Sequence, residues 1–172
     1  MEFVPFNKIP RLSRDMVITE KIDGTNATIF IDDDCVTMRT ASRKKWTTPE
    51  DDNYGFARWA QSNKEELLTL GPGWHRGEWW GQKIQRTYGL TEKRFSLFNT
   101  SLPAVPSCCS LVPVLYVGAF DTAMIDAYVE YLKQEGSQAV PGFMKPEGIC
   151  IFHTAAQYYF KKMIENDGGH KG

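Results

Sequence analysis

The segment Glu20-Lys21-Ile22-Asp23-Gly24-Thr25-Asn26 concentrates residue types able to do chemistry. Alternating apolar and polar residues on either side read as two strands. A lysine closes the first, a glycine turns the chain, and the second begins at once. Lys21 therefore projects from a rigid strand end into whatever cleft the sheet lines. An amine placed there is a candidate nucleophile, but only in its neutral form. A free lysine has a pKa near 10.4, so about one in a thousand is neutral near pH 7.5, a cost of roughly 4 kcal/mol. Neighbouring cations lower that cost. Taken alone, Lys-x-Asp-Gly is a surface hairpin in most proteins, so the reading depends on partners elsewhere.

The partners follow in order. They are Thr40-Ala41-Ser42-Arg43, Gly77-Glu78-Trp79-Trp80-Gly81, Phe95-Ser96-Leu97-Phe98, Lys145-Pro146-Glu147-Gly148-Ile149, Phe160-Lys161-Lys162 and Glu165-Asn166-Asp167. With them, the chain resembles the covalent nucleotidyltransferases, the superfamily of polynucleotide ligases and mRNA capping enzymes. Within it, the chain is most similar to the ATP-dependent RNA ligases of the branch that seals nicks in duplex RNA. The resemblance runs from about Glu20 to Asp167. Asn26 favours RNA ligases, since DNA ligases and capping enzymes usually carry arginine there.

The resemblance implies a role for each position. Lys21 attacks the α-phosphate of ATP to give a lysyl-AMP adduct, with Lys161, an arginine and a bound metal as the cations that favour its neutral form. Glu147 faces Mg2+ or Mn2+. Glu78 accepts from the ribose hydroxyls, a natural task for a carboxylate, while its flanking tryptophans read equally as core. Phe98 stacks on adenine; Phe95, on the opposite strand face, reads as core. Asn26 lies in the nucleotide site, and base identity rests on backbone groups around Glu20. Arg43 is the better match to the family's strand arginine. Arg39, four residues earlier, shares its face if no bulge intervenes. Either could grip the ribose or the RNA 5′-phosphate. Lys161 touches the α-phosphate, and Lys162 is counted with the nucleotide-binding residues. The implied partner is RNA with 5′-phosphate and 3′-OH ends.

Two departures stand out. Close relatives place a second lysine two residues after the first in the last motif, where this chain has Met163. Lys162 is adjacent and so points to the other sheet face unless a bulge redirects it; Lys171 is a substitute. The chain also ends five residues after Asp167, with no room for a C-terminal OB or helical domain. It is either a minimal ligase or a catalytic domain, expected as one adenylyltransferase domain over residues 1–172 and as a monomer, with a separate RNA-binding domain or protein as a candidate partner. A DNA ligase of the same superfamily, or a nucleotide- or RNA-binding module without turnover, are the alternatives.

The composition agrees with a folded enzyme. In 172 residues, 42% are apolar and 13% aromatic, which excludes a disordered tail protein. Twenty basic residues against twenty-one acidic ones give −1, which excludes a uniformly basic coat. The charge is uneven, however. Arg39, Arg43, Lys44 and Lys45 form one basic cluster, and Arg76, Lys83, Arg86, Lys93 and Arg94 another. Acid collects at Asp32–Asp34, at Glu50–Asp52 and along the second helix. Each cluster alone reads as ordinary solvated surface or as part of a basic active face with an acidic back; the motif reading favours the second. Apolar runs such as Leu111–Phe120 are too short to cross a bilayer, and no signal layout opens the chain. The four cysteines (Cys35, Cys108, Cys109, Cys150) lack metal-ligand spacing, which points to thiols in a reducing, cytoplasmic setting.

The elements that must position these residues follow from periodicity. Strands are predicted at Met16–Lys21, Asn26–Asp32, Cys35–Thr40, Trp74–Trp80, Phe95–Phe98, Val114–Phe120, Gly148–His153 and Tyr158–Ile164. Phe56, Trp59, Ala60, Leu67 and Leu70 predict one helix stopped by Gly71-Pro72-Gly73. A second starts at Asp121, presents Met124, Ile125, Tyr128, Tyr131 and Leu132 inward, and ends at Gly136. Leu102–Pro113 is predicted irregular. Strands dominate, interrupted by two helices, so the class is α+β; the resemblance implies mainly antiparallel sheets flanking a nucleotide-binding groove, as in nucleotidyltransferase or ATP-grasp-like ligase domains. RNA binding by this chain should be weak and salt-sensitive. Filter retention is expected to drop steeply between about 50 and 200 mM salt; retention unchanged by salt would refute the basic face.

Overall fold

The computed structural model describes residues 1–168. The elements in chain order are β1 (Asp15–Lys21), β2 (Thr25–Ile31), β3 (Met38–Ser42), β4 (Trp46–Thr47), α1 (Phe56–Ser62), α2 (Lys64–Leu68), β5 (Gly73–Gly81), β6 (Lys93–Leu97), β7 (Ser110–Leu111), β8 (Val114–Ala119), α3 (Thr122–Glu135), β9 (Gly148–His153) and β10 (Tyr158–Met163). They build two sheets, one ordered β10-β9-β1-β8 and the other β4-β3-β2-β5-β6-β7. All pairings are antiparallel except β6 with β7. The fold is α+β, as predicted.

Each sheet buries one face against helix. Met16, Ile18, Ile149 and Ile151 pack with Val129 and Leu132 of α3. Ala27, Ile29, Ile31, Trp79, Phe95 and Leu97 pack with Phe56, Ala60 and Leu67 from α1 and α2. The period-two alternation of strands turns the intervening side chains to the other face. On β2 these are Asn26, Thr28 and Phe30; on β5 they are Trp74, Arg76, Glu78 and Trp80. That second face carries the chemistry.

Local chemistry moved several boundaries. The third strand starts at Met38 because Asp34 organises a turn before it. Its Oδ1 accepts from the N–H groups of Val36 (2.8 Å) and Thr37 (2.7 Å), and Cys35 is left-handed at φ 55°. The single predicted helix breaks at Asn63, whose Nδ2 donates to the Trp59 carbonyl at 2.8 Å and competes with the helical ladder. A short strand, β7, lies inside the predicted irregular stretch. On α3, Asp121 accepts from the Ala123 N–H at 2.8 Å, and Gly136 ends the helix. Tyr131 faces solvent instead of the core, with Val129 in the inward position.

The two sheets join at the loop Ile22–Gly24, between the end of β1 and the start of β2. A Cβ at Gly24 would lie 2.5 Å from the Trp79 carbonyl oxygen and 2.6 Å from the Trp80 Cβ. Only glycine lets the backbone run that close to β5. Gly24→Ala is expected to destabilise the fold by about 1–3 kcal/mol, read as a shift of the urea midpoint. An unchanged midpoint would refute the close approach.

Candidate active site

At the seam of the two sheets, strand register sets the side chains side by side. Lys21 pairs with Gly148, and Gly148 with Met163. Lys161 pairs with Cys150. Lys21, Lys161 and Met163 therefore share one face of the first sheet. The second sheet supplies Asn26 and Glu78, which pair across β2 and β5. The cleft between them has a volume of about 790 Å³, within the range of small-ligand sites. Lys21, Asn26, Arg43, Glu78, Glu147 and Lys161 line it, with Asp23, Arg86 and the Glu165–Asp167 segment at its margins.

Lys21 Nζ forms an ion pair with Glu147. The Glu147 side chain is only 4% exposed, and Lys21 is the cation set against it. Gly148 permits the close packing there, since a Cβ would lie 2.3 Å from the Lys162 carbonyl oxygen.

A second polar chain crosses the cleft floor. Arg43 Nε donates to Asn26 Oδ1 at 2.9 Å, and Asn26 Nδ2 donates to Glu78 Oε2 at 2.9 Å. The Gly24 N–H donates to Glu78 Oε1 at 3.1 Å. Asn26 presents its oxygen to a guanidinium and its amide to a carboxylate, so both ends are matched. Burial pushes Glu78 up to about 7, against the opposing pull of Asn26, the Lys21 charge and the Gly24 N–H. Near neutral pH, Glu78 can thus both accept and donate hydrogen bonds.

Four predicted residues, Glu20, Arg39, Phe98 and Lys162, lie outside the cleft. Glu20 alternates away from Lys21, and its carboxylate accepts from Ser137 Oγ (2.6 Å) and from the N–H groups of Gln138 (2.7 Å) and Ala139 (2.9 Å). Its own N–H donates to the Pro113 carbonyl at 2.9 Å. Glu20 is a tie for the segment after α3. Lys162 sits on the α3 side of β10 and bonds Asp126 at 2.5 Å; no bulge redirects it, because the register stays regular. Arg39 shares the face of Arg43 but pairs with Asp32 at 3.0 Å, farther along the sheet. Phe98 lines an adjoining hollow of about 280 Å³ that shares Asn26 and Arg43 with the main cleft. Phe95 is core, as predicted. Lys171 lies outside the described residues.

Sequence reasoning missed a clamp on the seam loop. Arg86 Nε bonds Asp23 Oδ2 at 2.9 Å, its guanidinium reaches the Lys145 carbonyl at 3.1 Å, and the Asp23 N–H donates to Tyr88 Oη at 2.8 Å. Burial raises Tyr88 well above its ordinary range, so its hydroxyl stays neutral. The only advance signals were the aspartate in Lys-x-Asp-Gly and Arg86 in a basic cluster.

Comparisons with known proteins bear on the family and the fold. A family model described as RNA ligase matches residues 14–162. No curated protein matches the chain. Three solved structures of variant Naegleria gruberi RNA ligase share the fold. One, with ATP and Mn, has TM-score 0.62 and 18% identity over 90% of this chain and 51% of its own. A second, with AMP and Mn, has TM-score 0.66 and 20% identity over 88% of this chain and 50% of its own. A third, with ATP and Mn, has TM-score 0.65 and 19% identity over 94% of this chain and 53% of its own. The chain thus spans about half the length of these relatives.

The Glu78 environment has a thermodynamic consequence. Its folded-state value near 7 lies above the ordinary 4.5, so between those values the folded chain holds a proton that the unfolded chain has lost. This group's contribution to stability is present below about pH 4.5 and is lost as pH rises through 7. Chemical denaturation across that window should show the decline, and Glu78→Gln should flatten it. An equal slope in the variant would contradict the assignment.

Proposed function

Because the chain belongs to the RNA ligase family, we propose that this cleft joins RNA ends through a covalent lysyl-AMP. The observation that carries the reading is the meeting of Lys21, Glu147, Glu78 and Asn26 in one cleft at the sheet seam. The Naegleria gruberi RNA ligase structures are complexes with ATP or AMP and Mn, which supports ATP and a divalent metal as the ligands of this cleft.

In the first step Lys21 Nζ, freed from its pairing with Glu147 and deprotonated, attacks the α-phosphorus of ATP. An N–P bond forms, the bond to the β-phosphate bridge breaks, and pyrophosphate leaves. In the second, an oxygen of the RNA 5′-phosphate attacks the same phosphorus and the lysine amine departs. In the third, the RNA 3′-OH attacks the activated 5′-phosphate and AMP leaves. Each step is phosphoryl positioning with electrostatic stabilisation.

The residues divide this work. Glu78 anchors the ribose hydroxyls, with Asn26 fixing its carboxylate. Lys161 contacts the α-phosphate. Arg43 grips the ribose or the RNA 5′-phosphate, and Phe98 offers its ring to the base. No group of three or more His, Cys, Asp or Glu side chains suited to a metal is found among the described residues. The buried Glu147 carboxylate nevertheless fits Mg2+ or Mn2+, which are commonly held by one or two carboxylates together with substrate phosphates. When bound, the metal neutralises phosphate charge and orients the pyrophosphate. The free thiols suit a reducing, cytoplasmic compartment, and a further domain or protein completes the RNA grip.

Sealing of a nicked RNA duplex with ATP and Mn2+ tests this reading, with a DNA 3′-OH nick as comparison. Wild-type chain is expected to seal RNA and Lys21→Ala to seal none. Asn26→Ala should slow sealing about tenfold to a hundredfold, the worth of one charge-assisted hydrogen bond. Chelation with EDTA should stop the reaction. Sealing by Lys21→Ala, or preference for DNA, would overturn it.

A further inference from the structure

Beyond Arg43, the chemistry-bearing face of the second sheet continues into an exposed aromatic platform. Register aligns Phe30 with both Arg39 and Trp74, and Ala41 with Trp46. Trp46 and Trp74 are 46% and 53% exposed. Their rings stack at 5.5 Å with planes 25° apart. Phe30 lies beneath, 4.6 Å from Trp74 and 6.2 Å from Trp46. Arg39 sits 5.2 Å over both Phe30 and Trp46, and Arg76 lies 5.6 Å over Trp74.

Neither the core nor the clamp on the seam loop uses this platform. Two tryptophans held half in solvent, with flat faces and guanidinium caps, are poorly explained as core. Only Arg39 has a carboxylate partner, Asp32. Among the described residues, Arg76 and Arg43 have none within ion-pair distance. The platform is therefore apolar in its rings and cationic at its margin.

It is also continuous with the cleft. The hollow that holds Phe98 is lined by Trp74 and Arg76 at one end and by Asn26 and Arg43 at the other. From Asn26 to Phe30 along β2 is about 13 Å at ~3.3 Å per residue. A polyanion whose end reaches Lys21 can lie along this path.

Resting on the ligase reading above, we propose that this platform is a docking subsite for an unpaired stretch of the RNA substrate flanking the ends to be joined. Bases stack on Trp46 and Trp74, and Arg39 and Arg76 hold the adjoining phosphates. Base stacking on aromatic rings is tolerant of sequence because every base has a π-face. The subsite thus adds affinity without choosing among RNA sequences. Paired bases keep their faces inside the duplex, so only an unpaired stretch can use the rings. A partner protein could cover the same rings, but the arginines and the open path to the cleft favour a nucleic-acid strand.

The test measures binding of a short single-stranded RNA with a 5′-hydroxyl and, separately, of a blunt RNA duplex. Binding is read as the fluorescence anisotropy of a dye on the RNA, a signal that does not depend on the protein's tryptophans, and in the wild-type chain it should be accompanied by tryptophan quenching. Trp46→Ala/Trp74→Ala should weaken single-strand binding at least about tenfold, while Trp46→Phe/Trp74→Phe should retain most of the affinity. Arg39→Gln/Arg76→Gln should lower the salt dependence. Thermal melts establish that the variants fold. Unchanged single-strand binding in the alanine variant, or a loss confined to the duplex, overturns the proposal. Lysyl-AMP formation is assayed in parallel on the wild-type chain. Its absence would remove the ligase reading, whereas the platform stands or falls on binding.

Discussion

The ion pair of Lys21 with Glu147 is the constraint from which the rest of the cleft follows. Glu147 is nearly sealed from solvent, and a buried carboxylate without a cation costs several kcal/mol. The pairing requires β1 and β9 to align with Lys21 beside Gly148. A slip of one residue would turn Lys21 toward α3 and Glu20 into the cleft. Two devices hold that register. The buried Glu20 carboxylate fastens the segment after α3, and the Asp23–Arg86 pair fastens the loop that follows Lys21.

The second sheet presents one continuous polar and aromatic face. Near the seam, its polar chain from Arg43 through Asn26 to Glu78 fixes a carboxylate whose burial leaves it poised between protonation states. Farther out, the same alternation that sends Ile29 and Ile31 into the core brings Phe30 up beside Trp74. Strand periodicity thus sets the polar chain of the cleft and the aromatic rings on one face of the sheet.

Much of this was legible in the sequence because strand alternation is a local signal. β1, β2, β5, β9 and β10 were placed to within a few residues, and the cleft positions Lys21, Asn26, Arg43, Glu78, Glu147 and Lys161 share one cavity. Parity also separates Lys162 from Lys161 and Glu20 from Lys21, and turns both side chains away from the cleft. Side-chain competition was less legible. Asp34 delays β3, and Asn63 breaks a helix that periodicity alone would continue. Two-residue strands such as β4 carry no periodic pattern at all. The Asp23–Arg86 clamp joins residues far apart in sequence, so only the fold reveals it. Arg39 lies on the predicted face, yet the attraction of Phe30, Trp46 and Asp32 holds it away from the cleft.

The most direct measurement is peptide mapping of the intact chain after incubation with ATP and Mn2+. The predicted result is one AMP per chain, attached to the peptide that contains Lys21 by an acid-labile phosphoramidate. An adduct on Lys161 or another residue, or no adduct, would contradict Lys21 as the reacting amine at the seam.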